Sequence, residues 1–316
     1  MEQVEVFAPA TVANVVCGFD VLGFALEGPG DRMVLRKLAE PEVRIIHRDS
    51  FGLSTDAERN VAGITLLTIL EATKPRHGFE LEIVKAIAPG SGIGSSAASA
   101  AGAAVAANKL LGGILSDNEV IEFAMTGEAF ASRSRHADNI APAVLGGFTL
   151  VRSIDPVEVV RLQFPPLWVT IIHPQVTVKT SDARSILPLE VPLAAMIRQN
   201  ANIGALVAGL ATADYGLIAR SMEDQVVQPV RSRLIPSFDA VRTSALDSGA
   251  IGAGIAGSGP SVFSFSKDVV TARQVCVAMS RVYELVQTRF ETYISRVSPS
   301  GVVVNEGTGS SNATFH

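Results

Sequence analysis

Between residues 86 and 108 the chain runs AIAPGSGIGSSAASAAGAAVAAN without one charged side chain. A run of that length is long enough to span a bilayer. A hydrocarbon core selects Leu, Ile, Phe and Val, however, and this segment is Gly, Ser and Ala with Pro89 near its start. No membrane partner is expected from it. It divides instead into a loop, Pro89-Gly90-Ser91-Gly92-Ile93-Gly94-Ser95-Ser96-Ala97, and a small-residue helix predicted over 96–111. The alternating FELEIV of 79–84 predicts a strand just before the loop.

A glycine loop at a strand-to-helix junction suits a phosphate. Glycine lets the backbone turn and approach a ligand closely. The first N–H groups of a helix have no internal partner and sit at the positive end of its dipole. Ser95 and Ser96 add hydroxyls able to donate to phosphate or to ligate Mg²⁺, a hard oxygen-seeking ion. Two familiar phosphate motifs are excluded. A Walker loop needs Gly-Lys-Ser/Thr, and no Lys follows Gly94. A G-x-G-x-x-G does occur at Gly252, Gly254 and Gly257, but it leads into Pro260 and a strand-like SVFSF rather than a helix. That second stretch reads either as a tight turn or as a substrate-facing loop in which Ser258-Gly259 offers free N–H groups.

Composition sets the outer limits. Of 316 residues, 47% are apolar and 18% charged, enough apolar content for a real core. The net charge of −5 gives no basic face, so a nucleic-acid partner is not expected. Cys17 and Cys276 show neither metal-ligand spacing nor a disulfide framework, which suits a reduced, cytoplasmic protein. The N-terminus lacks the basic-then-apolar pattern of a secretory signal.

Elsewhere, residues 4–8 alternate and predict a short strand ending at Pro9. An apolar run at 21–26 is followed by Gly28-Pro29-Gly30-Asp31, read as a turn, and 33–38 with 43–47 read as paired strands. Val61, Ile64, Leu67 and Leu70 give helical spacing over 58–73. A further helix is predicted over 118–130, capped by Ser116 or Asp117, and Gly146-Gly147 breaks the chain before a strand at 148–151. The second half predicts a strand at 167–173, helices at 193–213, 217–224, 238–246 and 269–287, and a glycine-rich, then strand-like stretch at 250–265. After Ser300 the composition suggests a tail loose at its end. Both halves mix strand and helix, so two α+β domains, 1–154 and 155–316, are expected with a cleft between them.

With these residues in place a resemblance emerges. The loop from Pro89 to Ala97 resembles the phosphate-binding signature of the GHMP kinases, which include galactokinase, homoserine kinase and mevalonate kinase. Three further segments resemble the homoserine kinase branch. They are Pro9-Ala-Thr-Val-Ala-Asn14 continuing to Gly18-Phe-Asp20 and Gly23; Gly127-Glu128 with His136-x-Asp138-Asn139-x-x-Pro142; and Gly254-x-x-Gly257-Ser-Gly-Pro260-Ser. The resemblance covers nearly the whole chain. It implies a GHMP kinase fold: an N-terminal domain like the second domain of ribosomal protein S5, and a C-terminal ferredoxin-like domain. It also implies ATP along the glycine loop, Mg²⁺, L-homoserine as acceptor, O-phospho-L-homoserine as product on the way to threonine, and a homodimer.

The resemblance also implies roles for single residues. Asp20 would meet the substrate ammonium, although composition alone reads it equally as a turn residue. Asn14 can hold the hydroxyl as both donor and acceptor. Arg184 and Arg231 would grip the carboxylate, since a guanidinium fork matches it in a bidentate way; Arg233 is near enough in sequence to compete with Arg231. Gln228 stands where the family often has an acidic residue. His136 would lie near the substrate carboxylate or hydroxyl, and Glu128 with Ser96 would hold Mg²⁺. Asn139 stands where galactokinase and mevalonate kinase carry a general-base Asp. An amide cannot take up a proton at neutral pH, so transfer without a strong protein base is expected, with Asp138 as the rival base. Another small alcohol as acceptor, or a catalytically silent nucleotide binder, remain the competing readings.

Overall fold

The computed structural model describes residues 1–305 apart from residues 177 and 179; residues 306–316, the end of the tail expected to be loose, lie outside the described residues. In chain order the first body contains β1 (Gln3–Ala13), β2 (Leu22–Leu38), β3 (Val43–His47), α1 (Val61–Thr73), β4 (Gly78–Val84), α2 (Ser95–Leu110), α3 (Asp117–Ser132), α4 (Ile140–Leu145), β5 (Phe148–Ile154) and β6 (Val157–Leu162). The second contains β7 (Trp168–Pro174), α5 (Thr180–Ser185), α6 (Leu193–Thr212), α7 (Tyr215–Ser221), α8 (Gln228–Arg231), α9 (Phe238–Asp247), β8 (Gly252–Ile255), β9 (Val262–Ser266), α10 (Val269–Leu285) and β10 (Phe290–Arg296). The short β11 (Val303–Asn305) follows.

The first sheet runs β11-β1-β2-β4-β3, with β5 on β2 and β6 on β5. Three features differ from the sequence reading. β1 does not stop at Pro9. Its register with β2 shifts between Pro9 and Thr11, where residues 26–29 stand opposite Ala10, so the missing proline donor falls at a bulge. For the same reason Gly28-Pro29-Gly30-Asp31 is not a turn: β2 passes straight through it, held by β1 on one side and by β4 and β5 on the other. β3 does not pair with 33–38. It lies parallel to β4, because α1 carries the chain across between them, as a parallel pair requires.

The small residues of α2 are explained by burial. Ala97, Ala98, Ala100, Ala101, Ala103, Ala104, Ala106 and Ala107 are wholly enclosed. α2 packs on α1 and α3 and on β1 of the sheet, and alanine allows that close approach while favouring helix. No helix among the described residues is long and apolar enough to cross a membrane. α1 begins at Val61, later than the periodicity suggested, because the Asn60 side chain accepts from the Ala62 and Gly63 N–H groups. α3 begins with a capping box, Ser116 with Glu119.

The second sheet runs β10-β7-β9-β8. Numbered within this body the order is 4-1-3-2 with helices in the βαββαβ sequence, the ferredoxin-like arrangement. β10, α5 and α8 had no signal in the sequence reading. Two strands of the first sheet, β6 and β11, come from beyond residue 154. We therefore propose that the chain crosses between bodies at 163–167 and returns after β10, rather than dividing at 154–155.

The two bodies share apolar contact. Phe24 and Phe148 of the first sheet meet Phe263 and Phe265 of the second, with centroids 4.9 Å (Phe24–Phe148), 5.8 Å (Phe24–Phe263), 5.1 Å (Phe24–Phe265) and 5.9 Å (Phe148–Phe265) apart. All four are fully buried.

Candidate active site

A cleft of about 720 Å³ is lined from the first body by the glycine loop, the start of α2 and the 14–20 loop, and from the second by Arg184, Arg231, Gly257 and Ser258. Gly90, Gly92 and Gly94 have φ of 76°, 83° and 72°, left-handed values that favour glycine. Gly94 caps α2 without any side chain, so no side-chain oxygen occupies the helix's first N–H groups. Pro89, Gly90, Gly92, Gly94, Ser95 and Ser96 line the cleft. Ser91, Ile93 and Ala97, also expected in the nucleotide site, are not among the cleft-lining residues. Ile93 and Ala97 are packed in the core, and the Ser91 carbonyl accepts from Ser261 N (3.3 Å) and Oγ (2.6 Å) of the second body. The Ile93 and Ala97 side chains and the Ser91 carbonyl anchor the loop instead. The Ser95 hydroxyl is not free for phosphate either, since it donates to the Ile87 carbonyl at 2.8 Å.

Beneath the loop lies an ion pair that sequence reasoning missed. Lys85 Nζ donates to Asp31 Oδ2 at 2.6 Å, to the Ser95 carbonyl at 3.1 Å and to Ser99 Oγ at 2.9 Å. Asp31 Oδ1 accepts from the Ala86 and Ile87 N–H groups at 2.9 and 3.1 Å. Asp31 sits in β2 and Lys85 at the end of β4, so only strand pairing joins them. Lys85 also lines the cleft.

A second charged group borders the start of α2. Glu128 on α3 is 6% exposed and hydrogen-bonds with Ser96, yet its Oε2 is buried without a hydrogen-bond partner. Burial raises its carboxyl above the ordinary range, against the lowering effect of Ser96 and His136. An orphaned carboxylate oxygen beside a serine hydroxyl, at the mouth of a phosphate loop, fits a hard cation that takes one or two carboxylates plus phosphate oxygens. No cluster of three or more acidic, His or Cys ligands exists among the described residues. His136 Nδ1 lies 3.1 Å from Asp138 Oδ1, an ion pair when the imidazole is protonated. Burial pushes His136 down, but Asp138, Glu128 and Asp20 outweigh it and hold the imidazole above its ordinary value.

The opposite side of the cleft is assembled from both bodies. Asn14, at φ 71°, accepts from Asp20 N (3.0 Å) and donates to the Gly257 carbonyl (2.8 Å). One lone pair of its oxygen and one amide N–H remain for a ligand. Gly257 also accepts from Arg231 Nη1 at 3.3 Å. The 252–257 glycines thus end in a cleft-facing loop, although it offers a carbonyl acceptor and not the expected Gly259 donor, which is spent on Ala256. Asp20 and Arg184, expected to take opposite ends of a substrate, pair with each other at 2.9 and 3.0 Å. Arg231 is 3% exposed, donates to the Ala183 carbonyl, and is lowered by burial to about 10, still charged at neutral pH. Arg233 is exposed and outside the cleft. Phe19, part of the first motif but given no role there, lies under both guanidinium groups, 5.4 Å from Arg184 and 4.9 Å from Arg231. Gly23 of the first motif is required sterically: a Cβ there would stand 1.7 Å from the Asp138 carbonyl.

A phosphate loop facing a charge-paired pocket across two bodies is the layout of a small-molecule kinase. The family description GHMP kinases N terminal domain matches residues 60–147, and GHMP kinases C terminal matches 206–285. A homoserine kinase of Chloroherpeton thalassium is 46% identical over 299 residues, covering 90% of this chain and 94% of that protein. The crystal structure of a homoserine kinase from Cytophaga hutchinsonii superposes with a TM-score of 0.92 at 47% identity, covering 96% of this chain and 98% of that one. An L. major mevalonate kinase in complex with R-mevalonate shares the fold, with a TM-score of 0.73 at 14% identity and coverage of 94% and 96%. The chain belongs to the GHMP kinase family and, within it, to the homoserine kinases.

Proposed function

We propose that the protein transfers the γ-phosphoryl of ATP to the hydroxyl of L-homoserine, giving O-phospho-L-homoserine and ADP. The observation that carries this is the facing of two sites across one cleft: uncapped N–H groups at Gly94–Ser96, and a carboxylate–guanidinium set of Asp20, Arg184 and Arg231. The head group of an amino acid is itself a plus–minus pair. Set beside Asp20 and Arg184, its ammonium meets Asp20 and its carboxylate meets Arg184 and Arg231, so each charge keeps an opposite partner. His136, held protonated toward neutral pH, adds a donor at the carboxylate or hydroxyl.

The polyphosphate lies along Gly90–Ser96 with its charge against the N-terminus of α2. Ser96 and Glu128 would hold Mg²⁺, which when bound offsets charge on the phosphate oxygens. The acceptor oxygen bonds to the γ-phosphorus while the bond to the ADP oxygen breaks, and the hydroxyl proton passes to a phosphoryl oxygen. Asn139, which lines the cleft, holds the hydroxyl but takes no proton. Positioning and charge stabilisation suffice because little proton transfer is needed early in a loose transition state. The test is ADP release from Mg²⁺-ATP with L-homoserine, mevalonate, galactose and shikimate in parallel, followed by identification of the product. Phosphorylation of another alcohol in preference to homoserine would overturn the substrate, and no ADP release with any acceptor would overturn the enzyme.

We also propose a cytoplasmic homodimer. Two free cysteines, Cys17 pushed by burial up to about 12 and Cys276, suit a reducing compartment. A monomer mass in light scattering would remove the dimer.

A further inference from the structure

Behind the cleft wall, Thr11 in β1 is fully buried and is not among the cleft-lining residues. Its Oγ1 lies 2.8 Å from Asn139 Oδ1, 128 residues away in sequence. A buried hydroxyl proton needs an acceptor. Among the described residues the hydroxyl has one hydrogen-bond partner, the Asn139 amide. If that amide were turned about, its NH₂ would face the threonine oxygen and the hydroxyl proton would be left buried and unpaired, a costly arrangement. The hydroxyl therefore fixes the amide with its oxygen inward and its NH₂ toward the cleft. The contact is enclosed from the other side: a Cβ on Gly94 would stand 2.1 Å from Thr11 Oγ1 and 3.1 Å from Asn139 Oδ1. Thr11 N also donates to the Ile93 carbonyl at 3.2 Å, so one residue ties the strand, the phosphate loop and Asn139 together.

We propose that Thr11 is a positioning residue for phosphoryl transfer, acting by locking the Asn139 amide as a donor toward the acceptor hydroxyl. This rests on the reaction proposed above. With an NH₂ donating to its oxygen, the acceptor hydroxyl must point its own proton away from Asn139, toward the phosphoryl group. A rotated amide would draw that proton to itself and turn the attacking lone pair aside. Thr11 thus sets which way the nucleophile faces without touching it.

The experiment compares wild type, Thr11→Val and Thr11→Ser with Mg²⁺-ATP and L-homoserine, each alone and combined with Asn139→Ala. Val is nearly isosteric but lacks the hydroxyl. Thr11→Val is expected to lower kcat roughly tenfold, the value of one orienting hydrogen bond, with both KM values within about twofold. Thr11→Ser is expected to restore kcat. In the Asn139→Ala background Thr11→Val should cost nothing further, since there is no amide left to orient. A purely structural role would lower kcat in both backgrounds alike, and that result, or an unchanged kcat in Thr11→Val, overturns the inference. Should Thr11→Val not fold, Thr11→Ala is read in the same cycle with the same two outcomes. Absence of phosphohomoserine from the wild type would instead overturn the underlying reaction.

Discussion

Two sets of buried charge lie within the wall of one cleft, and they are built by opposite rules. In Lys85–Asp31 every polar atom is used: all three ammonium hydrogens have acceptors and both carboxylate oxygens have donors. In Glu128, His136 and Asp138, equally enclosed, Glu128 Oε2 has no hydrogen-bond partner, and His136 Nδ1 and Asp138 Oδ1 have only each other, as an ion pair at 3.1 Å. A satisfied buried pair holds shape, whereas unpartnered buried polar atoms cost stability until something arrives to meet them. The difference separates a scaffold under the phosphate loop from a site kept ready for ligand.

The strongest way to break this contrast is Asp31→Ala. It leaves the Lys85 ammonium buried without its counter-charge and should cost about 3–5 kcal/mol in denaturant or thermal unfolding. A loss below about 1 kcal/mol would demote the pair to decoration.

Next is Glu128→Gln. If Glu128 is the proposed cation ligand, kcat/KM should fall about 100-fold, near 2.7 kcal/mol. The ligand-free protein should gain about 1 kcal/mol of stability at neutral pH. The sign follows from the raised carboxyl: its folded value lies above 4.5, so the wild-type fold loses stability as pH rises from about 4.5 through that higher value, and the Gln variant does not. A Gln variant less stable than wild type would erase the distinction between the two sets.

Asp138→Asn probes the imidazole. His136 is held above 6.5, so its stabilising contribution is full below pH 6.5 and fades as pH rises through the folded value. Removing the neighbouring charge should bring its midpoint down in an NMR titration, with turnover kept within about tenfold, near 1.4 kcal/mol. A folded, substrate-binding Asp138→Asn that turns nothing over would make Asp138 the base. Smallest of all is the control outside both sets. Arg233→Ala, exposed and away from the cleft, should leave the homoserine KM within about twofold, whereas Arg231→Ala should raise it.

What the sequence could disclose follows the same division. The glycine loop, the alanine helix after it and the helical periods of the second body are local patterns, and each lies within two or three residues of its place. Strand neighbours are not local. The pairing of β3 with β4, the passage of β2 through Gly28–Asp31 and the short β11 depend on contacts far along the chain. So do Thr11 and Lys85. Each looks like an ordinary strand residue until Asn139 or Asp31 is brought beside it. Asp20, Arg184, Arg231 and Glu128 were found because the resemblance names them, and Glu128 with its neighbour Ser96; the pairing of Asp20 with Arg184 was not, since the resemblance sets them at opposite ends of a substrate.

The four buried phenylalanines give the contact between the two bodies a salt-proof part. Here the two bodies touch through rings, and ring contact does not weaken when ions screen charge. Raising ionic strength should loosen the grip on a zwitterionic substrate while leaving the jaws the same distance apart, so that affinity yields before alignment does.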